Sequence, residues 1–381
     1  MEGEGTGGEA ASRVTSLELF FDLVFVFAIT QTTGYISADP TWSRLVEALA
    51  ILAAVWWAWE SFAWLGNTAA SDGGLLRLAL LAAMAAILIA SLAVPGAFAG
   101  DGAIFGVAYS GVRVLHLAAY RVIARENPVL LGAISRLAAP MLPAAGLILV
   151  AGFLDGVPRA VCWALALAID YGGLMVLGVR GWSVRAAHFA ERHGLIVIIA
   201  LGKSVVAIGV GADAHELTAG VIVGAVLGLA VIAALWWAYF DVVALVGERR
   251  LTSAPPAEQA RIARDSYTYL HLPMVAGIIL FAVGVKKTLA HVGEPLDPVP
   301  GSCLCAGVAL YLVALSAFKR RNVGSFNRPR LVAAVLSVAS VFATWSLPAI
   351  AAIALVTAIA CGLIVYEVTR YGPVRRRVRS A

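Results

Sequence analysis

From residue 17 onward the chain is built of long apolar runs separated by short polar breaks. A membrane-crossing helix takes about 20 mostly apolar residues. Runs of that kind fall at 17–37, 42–66, 75–98, 103–124, 129–153, 159–179, 187–211, 216–246, 265–291, 301–320, 329–347 and 349–370. Ser346-Leu347-Pro348 divides the last two, because proline breaks or kinks a helix. The pattern predicts an all-α membrane protein, a polytopic bundle of about twelve transmembrane helices. The longest polar connection, ERRLTSAPPAEQARIARDS, is charged and carries Pro255 and Pro256, so it reads as a linker. No connection is long enough to house a soluble catalytic domain.

Composition reinforces the pattern. Of 381 residues, 61% are hydrophobic and only 13% charged, with a mean hydropathy of +0.88. A soluble domain carries about 25% charged residues, so a water-soluble globule is excluded. The net charge of +5 and pI near 9.1 could point to nucleic acid, but the arginines sit at the ends of the apolar runs. Every second connection is basic: Arg77; Arg121 and Arg125; Arg180 and Arg185; Arg249, Arg250, Arg261 and Arg264; Lys319 to Arg321, Arg328 and Arg330; then Arg375 to Arg377 and Arg379. The opposite connections hold little beyond Arg44 and Arg159. The positive-inside rule then places both termini in the cytoplasm.

The stretch MEGEGTGGEAASR, residues 1–13, reads as a disordered cytoplasmic N-terminus, and the first apolar run as a retained span rather than a cleaved signal. Cys162, Cys303, Cys305 and Cys361 show no paired CxxC spacing and no nearby His cluster. Cys162 and Cys361 read as small hydrophobes, and for Cys303-Leu-Cys305, near an outer membrane boundary, a redox or metal role is the lesser alternative.

A faint internal repeat is visible. Glu18 and the run to Thr30-Gln31 lie over Glu191 and the run to Lys203-Ser204, and VWWAWESF (55–62) lies over LWWAYFDV (235–242). This divides the chain into a first six-helix half, 14–180, and a second, 185–372, followed by a basic cytoplasmic tail, 373–381. Six is even, so both halves share one orientation about an axis along the membrane normal. Chance alignment of apolar sequence is the alternative.

The polar residues inside the runs are the candidate chemistry. Glu18 and Asp22, at i and i+4, share a helix face. Glu18 follows Arg13 closely and reads as a headgroup-level residue. Asp22 is about 6 Å deeper, and an unpaired Asp at a span centre costs about 2.5–3.5 kcal/mol. It therefore faces protein or a wet cavity. Arg113 lies about 12 Å in from Arg121, close to the depth of Asp22, and reads as its partner. That contact either fixes helix packing or lines a substrate or ion path, and the path is favoured. Glu60, Asp170, Asp241, His116 and Lys203 are also deep. Lys203 either pairs with one of these acids, is neutral, or snorkels outward.

Other features read as bland. His188, Glu191, Arg192 and His193 read as a solvated cluster at the inner boundary. Lys286 and Lys287 snorkel. Gly220, Gly224 and Gly228 form a helix-packing GxxxGxxxG. Trp56, Trp57, Trp59, Trp64, Trp236 and Trp237 read as interface anchors ahead of pocket lining. The tail RYGPVRRRVRS is either an anionic-lipid contact or a topology signal.

Four stretches, LELFFDLVFVFAITQ, ERHGLIVIIALGKSVVAIG, ALWWAYFD and DSYTYLHLPMVAGIILFAVGVKK, resemble the bacterial low temperature requirement A family over roughly residues 13–370, in matching order. The matching positions are Glu18, Phe21 and Asp22; Glu191, Gly194, Gly202 and Ser204; Trp236, Tyr239 and Asp241; and Tyr269, His271, Pro273 and Met274. The resemblance implies a multi-pass protein of the bacterial cytoplasmic (inner) membrane and no defined reaction. Lys203 stands where the resemblance implies an acidic residue, which puts ion coupling at that position in doubt.

The reading favoured is a transporter or permease, with Glu18, Asp22, Arg113, Lys203, Asp241 and His271 as candidate substrate- or ion-binding residues. NTAASDGGLLR lacks the major-facilitator GxxxD-x-x-GR pattern, and the first span has no central Gly or Pro break. The alternatives are a side-chain-lined ion channel, a membrane scaffold or stress sensor, and a lipid- or quinone-acting enzyme. The last is weakened because His116, His188, His193, His215, His271 and His291 are scattered without ligand spacing. No enzyme activity, cofactor or metal is therefore expected. The partners expected are membrane lipid and a small solute or ion, not nucleic acid.

Overall fold

The computed structural model describes residues 14–68, 74–213 and 216–380; the N-terminal stretch read over residues 1–13 and His215 lie outside them. Among the described residues every regular element is helical. The helices are α1 (Ser16–Ala38), α2 (Trp42–Thr68), α3 (Gly74–Leu92), α4 (Gly102–Ile123), α5 (Pro128–Ala151), α6 (Gly156–Leu177) and α7 (Ala186–Ala212). They continue with α8 (Ala219–Phe240), α9 (Val243–Ser253), α10 (Pro256–Ile262), α11 (His271–Ala290), α12 (Pro298–Val323), α13 (Arg328–Ala339), α14 (Val341–Thr344) and α15 (Ala349–Ser380). Among the described residues, ten stretches are long and apolar enough to cross a membrane.

The exceptions among the twelve expected spans have local causes. The third run is helical over Gly74–Leu92, with its apolar part at Leu76–Leu92, and Pro95 turns the chain into a short 3-10 segment at Val94–Gly96. The eleventh breaks at Ser340. Its first piece, α13, has 12 residues and extends only about 18 Å, against a hydrocarbon core of about 30 Å.

The polar connection expected as a linker over 248–266 is instead helical. Pro256 opens α10 at a position where its missing N–H costs nothing, and a π-helical turn, Ala263–Tyr269, leads toward α11. Residues 373–380, read from the sequence as part of a tail, continue α15 through Pro373.

Side chains cap the helix starts. Asn127, Thr218 and Asn327 accept backbone N–H groups of Leu130, Val221 and Arg330. The chain divides into two compact units, one containing residues up to Tyr35, Val46–Arg192 and Ala254–Arg264, the other Ile36–Leu45, His193–Ser253 and Asp265 onward. The division inside α7 falls later than the 180–185 boundary expected.

In the first unit, α4 and α5 approach backbone to backbone: a Cβ on Gly106 would stand 2.8 Å from Leu149 Cα. Helix α2 is its core element, with 78% of its apolar window buried, whereas α6 buries only 17% and presents Val161, Leu165 and Val176 outward. In the second unit α11 and α12 make the tightest approach. A Cβ on Gly277 would meet Gly307 O at 2.6 Å, and one on Gly284 would meet Leu304 Cα at 2.5 Å. The GxxxGxxxG of α8 packs as expected, but against side chains: Gly224 faces Leu289 and Gly228 faces Val285, each at 2.8 Å. The backbone-to-backbone contact that such spacing permits is made elsewhere, at Gly277 and Gly307.

Candidate functional site

Helix α1 starts with a capping box. Thr15 Oγ1 accepts the Glu18 N–H at 3.3 Å, and Glu18 Oε2 accepts the Thr15 N–H and hydroxyl, each at 2.9 Å. This fixes Glu18 pointing back over the first turn, and one turn further along the same face sits Asp22. Glu18 was expected at headgroup level; it is buried, as is Asp22.

The partner of Asp22 is Arg192, not Arg113. Arg192 Nη2 donates to Asp22 Oδ1 at 3.2 Å, and its Nη1 donates to Glu18 Oε1 and to the Phe62 carbonyl, each at 3.3 Å. Trp59 Nε1 donates to Asp22 Oδ1 at 2.7 Å. The Arg192 guanidinium lies over the rings of Phe21 and Trp59, 5.7 and 5.6 Å from their centroids. One turn earlier on α7, His188 Nε2 reaches Glu18 Oε2 at 3.1 Å. A carboxylate only accepts, so Nε2 carries the hydrogen. Gly66 admits this cluster against α2: a Cβ there would collide with Glu18 Oε1 and stand 3.0 Å from Arg192 Nη1. Arg185 ties down the end of α2 by donating to the carbonyls of Gly66 and Asn67 at 2.5 and 2.8 Å.

Arg113 is taken by a different acid. Its Nη2 donates to both oxygens of Asp170 on α6, at 2.8 and 3.1 Å, and its Nη1 donates to Ser61 Oγ at 2.7 Å and the Trp57 carbonyl at 3.2 Å. Depth along a helix sets height in the bundle but not azimuth, so similar depth did not make Asp22 and Arg113 partners. The two networks also differ in balance. Arg113 and Asp170 match one cation to one anion. Arg192 faces two carboxylates, and His188 is the remaining basic group. Among the described residues, Asp22 Oδ2 and His188 Nδ1 are buried with no hydrogen-bond partner, as are the Nε atoms of both arginines.

The other sequence candidates lie outside this cluster. Asp241 ion-pairs with Arg375 at 2.5 Å and Arg379 at 3.3 Å. Lys203 is half-buried and holds no ion pair among the described residues; the charge acting on it is Lys286, another cation. Pairing of Lys203 with a deep acid is therefore not observed. His271 receives the Tyr239 hydroxyl on Nε2 at 2.8 Å and donates from Nδ1 to the Ser266 carbonyl at 2.9 Å. Its ring stacks on Tyr267 and lies 5.1 Å from His193.

Two further expectations are corrected. His188, Arg192 and His193 are buried rather than solvated; of that group only Glu191 is exposed. The α2 tryptophans are core residues rather than interface anchors, whereas Trp236 and Trp237 are exposed. Arg192 and His188 were thus missed, although their i, i+4 spacing mirrors that of Glu18 and Asp22. Among the described residues no group of three His, Cys, Asp or Glu side chains could hold a metal ion.

A many-helix bundle with an apolar exterior and charge buried between its helices defines a multi-pass membrane protein. Residues 13–365 match the family described as Bacterial low temperature requirement A protein (LtrA), and the chain belongs to that family. It is 32% identical over 291 residues to the uncharacterized protein RA0937 of Rhizobium meliloti (strain 1021), covering 72% of this chain and 69% of that relative. No solved structure matches.

Proposed function

We propose that this protein is a proton-coupled transporter of a small solute or ion, with the Glu18, Asp22, Arg192 and His188 network as its proton site. The observation that carries this reading is the imbalance of that network: two carboxylates against one guanidinium, with Asp22 Oδ2 and His188 Nδ1 unpartnered. One proton on either atom would neutralise the site. Ionisable groups inside membrane proteins commonly belong to ion paths or proton relays, and a relay asks for acceptors in sequence rather than a wide pore. Lys203 stands where the resemblance implies an acidic residue, so on this reading the chain couples through the Glu18 and Asp22 network rather than at position 203. On this reading the chain is no enzyme. It lies in the bacterial cytoplasmic membrane with both termini inside, an orientation the Lys/Arg asymmetry supports, and its partners are membrane lipid and the transported solute.

The test is proton flux in proteoliposomes, followed with an entrapped pH dye, for wild type and Asp22→Asn at equal monodisperse yield. Asn keeps an oxygen for Trp59 and removes the titratable group. Flux in wild type that is lost in the folded variant is the expected result. No wild-type flux with any tested ion or solute, together with an Asp22→Asn protein that fails to fold, would make the network a packing device and move the reading to a scaffold or sensor.

A further inference from the structure

At the basic end of the second unit, two cavities of opposite character adjoin. One, of about 390 Å³, lies among Lys319, Arg328, Arg330, Arg375 and Glu367. The other, of about 770 Å³, runs between α13 and α15 along Val332, Leu336, Ile359, Gly362 and Leu363. Arg328, Pro329 and Tyr371 line both, so the two share a wall. Each lies within the usual size range of a ligand site, about 300–1,000 Å³.

The charge in the first cavity is unbalanced. Glu367 is held by Arg330 at 2.7 Å and Arg375 at 3.2 Å, and Arg375 also pairs with Asp241, which Arg379 shares. That chain already has more guanidiniums than carboxylates. Lys319 and Arg328 add two cations that hold no ion pair among the described residues, with Arg328 exposed. Arg330 is buried, and its Nη1 has no hydrogen-bond partner while Nε and Nη2 are both used on Glu367. A buried guanidinium nitrogen left open beside two further cations fits an anion with several acceptor oxygens. The second cavity offers the reverse, an apolar trough on the membrane-facing surface, with Val332 and Leu336 exposed.

We infer that this site binds an anionic phospholipid, its phosphate in the basic cavity and an acyl chain in the trough between α13 and α15. One amphipathic molecule accounts for both halves, since basic pockets at the cytoplasmic end of transmembrane helices suit lipid phosphates.

The test is native mass spectrometry of the detergent-purified full chain with added phosphatidylglycerol or phosphatidylcholine. Wild type is expected to retain phosphatidylglycerol preferentially. The double variant Lys319→Gln/Arg328→Gln leaves the Arg330, Glu367, Arg375 and Asp241 chain intact, and it is expected to weaken that retention roughly thirtyfold. Gly362→Phe fills the trough where a Cβ meets open space. It is expected to weaken phosphatidylglycerol binding while leaving competition by inorganic phosphate unchanged. Equal retention of the two lipids by wild type overturns the inference, as does an unchanged preference in the double variant. Phosphatidylglycerol binding untouched by Gly362→Phe would show a free-phosphate site without a lipid trough, and also overturns it.

Discussion

Trp59 and Tyr239 fall at the same position when VWWAWESF is laid over LWWAYFDV, and each hydrogen-bonds a buried polar side chain. The environments they serve differ. Trp59 donates to Asp22 in a charged network with two carboxylates on one guanidinium and open valences. Tyr239 donates to His271, whose other nitrogen donates to a carbonyl, so the imidazole is neutral and both nitrogens are used. A closed neutral network rigidifies a core and needs no further role. A buried charged network that stays open is costly and persists where charge has work to do. The π-helical turn before His271 supplies the Ser266 carbonyl that closes the second network.

The comparison breaks first at Arg192. Arg192→Met leaves Glu18 and Asp22 buried without a counter-charge, and is expected to destabilise the protein by about 3–5 kcal/mol. The readout is loss of monodisperse protein in detergent and a lower thermal midpoint. A variant as stable as wild type would mean the carboxylates are already neutral, and the charge imbalance would vanish with it. Tyr239→Phe probes the other side. It strands a buried acceptor on His271 and is expected to cost about 1–3 kcal/mol, while any proteoliposome flux persists. Flux lost at full stability would place His271 on the path and erase the distinction between the two networks.

The helical, many-span architecture was legible because hydrocarbon length acts on composition, which a sequence carries directly. The site was half legible. Glu18 and Asp22 stood out because charge is expensive in an apolar run, and their shared face followed from helical spacing. Their partners did not stand out. Arg192 lies only seven residues from Arg185, near the basic boundary, and boundary arginines usually meet water; burial under α2 depends on Gly66 leaving room for the guanidinium. Arg113 was assigned to Asp22 by depth alone, when the choice between Asp22 and Asp170 rests on which helices neighbour α4. Helix α10 escaped for another reason: it is too short and too polar for the twenty-residue criterion, whereas the run over 329–347 met that criterion and only its break at Ser340 went unseen.

The smallest expected effect sharpens the same alignment. Trp56 and Trp236 occupy matching positions in the two WW motifs, yet Trp56 is 0% exposed and Trp236 is 44% exposed. Trp56 packs on Trp59 and Phe25 beside the charged network. Trp236 meets Trp237 and Phe240 of its own helix. Replacing an exposed apolar ring by another apolar group leaves no cavity and strands no polar atom beyond an indole N–H. Trp236→Leu is therefore expected to change stability by less than about 0.5 kcal/mol, read as the thermal midpoint in detergent. A loss approaching that of Arg192→Met would mean the exposed face of α8 is covered in the folded protein, by lipid or by a second chain. The tryptophans of the two motifs would then share a buried role after all, and only the charge they serve would tell them apart.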